Sequence, residues 1–196
     1  VLLAGPGLPG DQIILAQNDA IAQLSGSNEN EREKSKVIST GAFDIVKEAV
    51  STDSLKSELT TYFKEIVSIL PQKDKPQGMD DNALILTQVS QLSSPWMQYF
   101  LRYNPAVNLE KVKCPVLALN GAKDLQVLPK PNLEAIKAAL EKGGNKNVTV
   151  KELPNLNHLF QECITGSPEE YYKIEQTFSP VALAAVTDWI TVQVKP

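Results

Sequence analysis

The chain has 196 residues, 42% of them hydrophobic, and 19 Lys and Arg against 23 Asp and Glu give a net charge of -4. That length is enough for one well-buried domain, and the mild, scattered acidity gives no electrostatic reason to expect nucleic acid or an anionic membrane as a partner. No apolar run approaches the ~18 residues of a spanning helix, and Val1-Leu2-Leu3-Ala4 lacks the charged start and length of a signal peptide, so a soluble protein of open compartment is expected.

Val1 to Ala4, followed by Gly5-Pro6-Gly7, reads as a buried strand running directly into a turn. The turn lacks the Lys and hydroxyl of a phosphate loop, and its expected use is to let the backbone pass close beneath the helical segment inserted after it, from residue 11 to 103. From Asp11, expected as a helix N-cap, the pattern becomes helical. Ile14, Ile21 and Leu24 share a face before the break at Ser25-Gly26-Ser27-Asn28. The charged segment Glu29 to Lys36 leads into Val37, Ile38, Ala42, Ile45, Val46 and Ala49, with a kink or break allowed at Gly41, which costs about 1 kcal/mol relative to Ala. Leu55, Leu59, Tyr62, Phe63, Ile66 and Leu70 form the cleanest stripe, stopped by Pro71. A polar loop over 72–78 precedes Asp80-Asp81, which caps a helix through Leu84, Ile85, Val89 and Leu92. The aromatic segment Ser94 to Tyr103 follows.

Lys113-Cys114-Pro115 then opens a short apolar run, Val116 to Leu119, closed by Asn120-Gly121. This is the pattern of a parallel strand covered on both faces. Its turn delivers Asp124. Leu133, Ile136 and Leu140 mark a helix from near Pro131 to Gly143-Gly144, and Val148 to Leu153 is the next strand. After Pro154-Asn155-Leu156-Asn157 comes His158, the single histidine of the chain. Phe160 to Phe178 reads as an irregular loop, and a last helix starting at Ser179-Pro180 is expected to bury Leu183, Val186 and Ile190.

Chemistry in open parallel sheets collects outside the carboxyl ends of the strands. An acid after one strand and a histidine after the next are the second half of a nucleophile, acid and base triad. Other acids fit less well, because Glu152 lies within a strand, Glu162 is expected in solvent, and Asp11 is accounted for as a cap. Ser94 and Ser179 each precede Pro at a helix start, so neither sits on a nucleophile elbow. No G-x-S-x-G motif occurs. The two cysteines, Cys114 and Cys163, are too few for a zinc site. A strand rising about 3.3 Å per residue separates them by more than the ~7 Å bridging limit, so two free, mostly buried thiols are expected.

Cys114-Pro115-Val116-Leu117, Gly121, Asp124 and Val127, then Asn155-Leu156-Asn157-His158, resemble the late strands of the serine α/β-hydrolases. Those strands read x-P-V-L-x-x-x-G-x-x-D-x-x-V, followed by a G/N-x-x-H loop. The resemblance implies an α/β fold in which residues 1–10 and 104–196 are the carboxyl half of the hydrolase sheet, about three parallel strands. Residues 11–103 would then be a helical lid insertion. It implies ester or acyl hydrolysis in a longer, cofactor-free and metal-free parent, like bacterial carboxylesterases and the peptidases or thioesterases of the same fold, cytoplasmic, periplasmic or secreted. Asp124 would be the acid and His158 the base, with the serine lying upstream of Val1. Trp96, Met97, Phe100 and Tyr103 would wall the pocket of a small ester or acyl substrate. The strand from Val1 to Ala4 would present an apolar edge to the amino half or to a second copy of the chain. Two alternatives stay open, a non-catalytic binding domain on the same fold and an Asp nucleophile as in dehalogenase-like relatives.

Overall fold

The computed structural model describes residues 1–72, 75 and 78–194. The chain divides into two compact units, one of residues 1–27 with 104–196 and one of residues 28–103. Among the described residues no helix is long and apolar enough to cross a membrane.

The first unit is α/β. Its parallel sheet runs β1 (Leu2–Leu3), β2 (Val116–Gly121), β3 (Val148–Leu153) in that spatial order. Leu2 pairs with Ala118, and β2 and β3 run in step from Val116 opposite Val148 to Gly121 opposite Leu153. Every residue of β2 is buried, as a central strand covered on both faces requires. One face packs Val116 and Ala118 against Leu133, Ile136 and Leu140 of α7 (Pro129–Lys142). The other packs Leu117 and Leu119 with Leu153, Leu156 and Phe160 against Ala182 of α8 (Pro180–Gln193). Burying each of these Leu and Ile side chains is worth about 1.5–3 kcal/mol, so this sandwich is the core that fixes the strand ends.

Several details differ from the sequence pattern. Strand β1 covers only two residues, though Ala4 N still donates to Leu119 O at 2.9 Å. Helix α1 (Gly10–Leu24) is preceded by Pro9, so Asp11 lies inside the first turn rather than at the cap. This helix falls in the α/β unit, whereas the expected insertion began at residue 11. Gly7 passes close to α7, because a Cβ there would meet Asn132 O at 2.2 Å, and Gly7 N donates to Asn132 Oδ1 at 2.8 Å. Helix α7 starts two residues before Pro131, at Pro129. A 3₁₀ helix over Pro168–Lys173, capped by Ser167, interrupts the loop expected to be irregular. Helix α8 turns Ala182, Ala185, Val186 and Trp189 toward the sheet, so Leu183 and Ile190 are exposed instead of buried. Its large apolar residues are spread around the helix, which leaves its sequence unable to announce a face. Cys114 is exposed and Cys163 half-buried; both are free, but neither is the buried thiol expected. Cys114 sits two residues before β2, outside the covered strand.

The second unit is helical. It comprises α2 (Glu29–Glu48), α3 (Thr52–Ile69), α4 (Asp81–Leu92) and α5 (Pro95–Arg102). Each start is capped as its sequence dictates. Asn28 and Glu31 form a reciprocal capping box, Ser51 caps with Ser54, Asp80 accepts from Ala83 N, and Ser94 accepts from Met97 N. Val46, Leu55, Leu59 and Leu101 are its most deeply buried side chains. Helix α2 runs unbroken through Gly41, because the missing side chain there admits the Tyr62 hydroxyl, which donates to Ile38 O at 2.9 Å. The polar loop expected over 72–78 lies partly outside the described residues. Back in the α/β unit, α6 (Ala106–Leu109) is a single turn that packs on α7.

Candidate active site

At the carboxyl end of β2 the chain turns at once toward β3. Ala122 N donates to Leu153 O at 2.8 Å and Lys123 N to Leu156 O at 2.9 Å, so the acid-bearing turn is stitched to the start of the histidine loop. Asp124 is 1% exposed. A buried carboxylate is tolerated only when its oxygens are satisfied. Oδ1 accepts from Gln126 N at 2.8 Å and Val127 N at 2.9 Å, and Oδ2 lies 2.9 Å from His158 Nδ1. A carboxylate only accepts, so Nδ1 carries the proton of this contact. Among the described residues no group hydrogen-bonds Nε2, and the His158 side chain retains 26% of its exposure.

The histidine loop is held from both ends. Asn155 and Phe160 take left-handed backbone conformations with φ of 60° and 58°, an arrangement that persists only where the surroundings fix it. Phe160 does this from within the core, stacked on Phe178 at 5.3 Å. Between them Asn157, fully buried, accepts from Leu159 N at 3.0 Å and Gln161 N at 2.9 Å, and its amide donates to Gln161 Oε1 at 3.0 Å. Gln161 in turn donates to Gln176 O at 2.9 Å. This network sets the backbone on either side of His158.

Four further side chains brace the acid and the loop beside it. Asn120, 1% exposed, donates to Val127 O at 2.6 Å, and its Oδ1 is buried without a partner among the described residues. Gln126 donates through Nε2 to the Tyr171 hydroxyl at 2.9 Å. Burial is the main influence raising the Tyr171 phenol above its ordinary value, against smaller opposing hydrogen bonds from Gln126 and the His158 backbone. Tyr171 therefore stays protonated beside the dyad. Lys123 donates to Cys163 O at 3.1 Å and Ile164 O at 2.8 Å, which closes the loop behind His158.

No family model, curated protein or solved structure matches this chain. The functional reading therefore rests on its own geometry.

Of the residues singled out from the sequence, Asp124 and His158 meet. Glu152 and Glu162 are both exposed, and Ser94 and Ser179 serve as helix caps. Trp96, Met97, Phe100 and Tyr103 lie on or directly after α5 in the helical unit. Met97 is buried in that unit, Trp96 is 64% exposed and stacks on Phe100 at 5.0 Å, and Tyr103 stacks on Tyr99 at 5.6 Å. Among the described residues no group of three or more His, Cys, Asp and Glu side chains assembles as metal ligands.

Sequence reasoning missed Asn120, Gln126, Asn157 and Tyr171. Asn120 and Asn157 had a signal, each being an amide at a place where an apolar residue would bury freely, one closing β2 and the other preceding His158. Tyr171 had none, because only the fold brings its 3₁₀ turn beside Gln126.

Proposed function

We propose that Asp124 and His158 are the acid and base of a serine hydrolase acting on an ester or related acyl substrate, with the nucleophile carried by residues outside this sequence. The observation that carries this reading is the 2.9 Å contact between a buried, doubly backbone-anchored carboxylate and Nδ1 of a half-exposed histidine at the carboxyl ends of adjacent parallel strands. In such a pair the carboxylate holds the ring in the tautomer whose Nε2 accepts a hydroxyl proton, and it steadies the imidazolium that results. Nε2 then returns the proton to the leaving group. The unpaired edge of β1, where Val1 and Leu3 are about half exposed, is the place at which the strand bearing the serine would pair. In this reading the helical unit is the lid of the enzyme.

The competing reading is a binding domain that uses the same Asp–His contact as a structural hydrogen bond, and the bonds of Asp124 Oδ1 to Gln126 N and Val127 N, which hold the turn without any catalytic role, favour it. Fluorophosphonate labelling of the native protein, isolated intact from the cells that make it, separates the two. The hydrolase reading expects a labelled serine upstream of Val1 and turnover of p-nitrophenyl butyrate. Asp124→Asn should lower kcat about 10⁴-fold, by loss of the correct tautomer. Native protein that takes no label, or an Asp124→Asn variant with full turnover, gives the structure to the binding reading.

A further inference from the structure

The helical unit carries a partly open hollow of about 260 Å³ between α2, α3 and α4. Ile38 lines it from α2, Phe63 and Val67 from α3, and Leu84, Ile85 and Gln88 from α4. Among the described residues its lining is mostly apolar with a single amide, the make-up of small-molecule sites.

The wall chemistry narrows the occupant. Among the described residues no charged side chain lines the hollow, so a charged group would lose hydration there without a partner from them. Among the described residues Gln88 is the one polar residue of the lining, half-buried, and none of them hydrogen-bonds its amide. An amide offers both a donor and an acceptor, so it suits a hydroxyl or a carbonyl oxygen equally. Phe63, Val67 and Ile85 are deeply buried at the back, while Ile38 and Leu84 are only half-buried and lie nearer the opening.

We propose that this hollow binds a neutral, mainly apolar small molecule, an alkyl chain of medium length carrying a single hydroxyl or carbonyl group. The chain packs against Phe63, Val67 and Ile85, and the oxygen faces Gln88. The site lies wholly within the helical unit and does not depend on the assignment of Asp124 and His158.

Methyl NMR of the intact chain titrated with 1-octanol tests it, with glycerol as the polar control. The expected result is saturable shifts at the methyl groups of Ile38, Val67, Leu84 and Ile85, none at Leu140 in the α/β unit, and no response to glycerol. Leu84→Trp, which fills the hollow from its half-buried wall, should weaken octanol binding at least tenfold. Gln88→Leu removes one hydrogen bond and should weaken octanol about fivefold while leaving benzene affinity unchanged. Shifts that grow linearly with octanol and spread over both units would overturn the proposal. So would a folded Leu84→Trp variant that binds as tightly as the wild type. Should Leu84→Trp fail to fold, equal loss of octanol and benzene affinity in Gln88→Leu overturns the assigned orientation.

Discussion

Gly121 and Leu156 meet backbone to backbone, so closely that a Cβ on Gly121 would lie 2.2 Å from the Leu156 carbonyl oxygen. The glycine is there for this approach and not for its backbone freedom, since its φ is not among the positive ones. The contact lets the acid-bearing turn and the histidine loop share the Lys123 N to Leu156 O bond. Gly121→Ala should therefore push the histidine loop away from Asp124. The expected cost is about 1–3 kcal/mol, as for other overpacking substitutions. Urea unfolding measures that loss, and a weakened or faster-exchanging Nδ1 proton signal of His158 reports the opened dyad. A variant with wild-type stability and an unchanged Nδ1 proton would show that the contact positions nothing.

Asn120 and Asp124 grip the same residue from two sides, one at the Val127 carbonyl and the other at its N–H. Asn120→Ala strips a buried carbonyl of its donor and should cost about 1–3 kcal/mol. Asn120→Asp is the sharper test, because it replaces the donor with a carboxyl group at a position only 1% exposed. Burial raises the folded-state pKa of such a group above its ordinary value of about 4. Its protonated form is the tolerated one, so the variant is closest to wild type below that pH and loses ground as pH rises through the folded value. Urea midpoints of both proteins at acid and neutral pH should diverge on going to neutral. A constant gap would mean that Asn120 is not buried in solution.

How much of this was legible beforehand depended on whether the signal was local. The apolar run from Val116, the Pro-start and Gly-stop of α7, and the helix-start residues Asp80, Ser94 and Ser179 act on neighbours within a few residues, so the sequence displays them. Asp124 and His158 were legible because a parallel sheet places the loops after adjacent strands side by side. The supports were not. Tyr171 reaches Gln126 across 45 residues of chain, and Asn132 reaches back to Gly7 across 125. The burial of α8 was misread for a related reason. With Val181, Leu183, Val186 and Ile190 spread around the helix, periodicity cannot choose a face, and the choice falls to the small residues Ala182 and Ala185 that let the helix approach the sheet.

In the helical unit the Gly41–Tyr62 contact makes a prediction that a helix-propensity argument alone would get wrong. Alanine is a better helix former than glycine by about 1 kcal/mol, which would make Gly41→Ala stabilising. A Cβ there, however, lies 2.5 Å from the Tyr62 hydroxyl, which must swing out and release Ile38 O, at a loss of about 0.5–1.5 kcal/mol. The two effects nearly cancel, so the single variant is expected within about 1 kcal/mol of wild type. The information lies in the double-mutant cycle. With Tyr62→Phe already lacking the hydroxyl, Gly41→Ala should become more favourable by about 0.5–1.5 kcal/mol. Burial raises the Tyr62 phenol above its ordinary value of 10.0, which sets the pH dependence. The neutral phenol is the form the fold prefers. Its contribution is complete below pH 10.0 and is lost as pH climbs through the folded value, so wild type should lose stability there faster than Tyr62→Phe. Urea midpoints followed up the alkaline range for the four proteins of the cycle measure both quantities, and parallel curves with additive substitutions would remove the contact from the account.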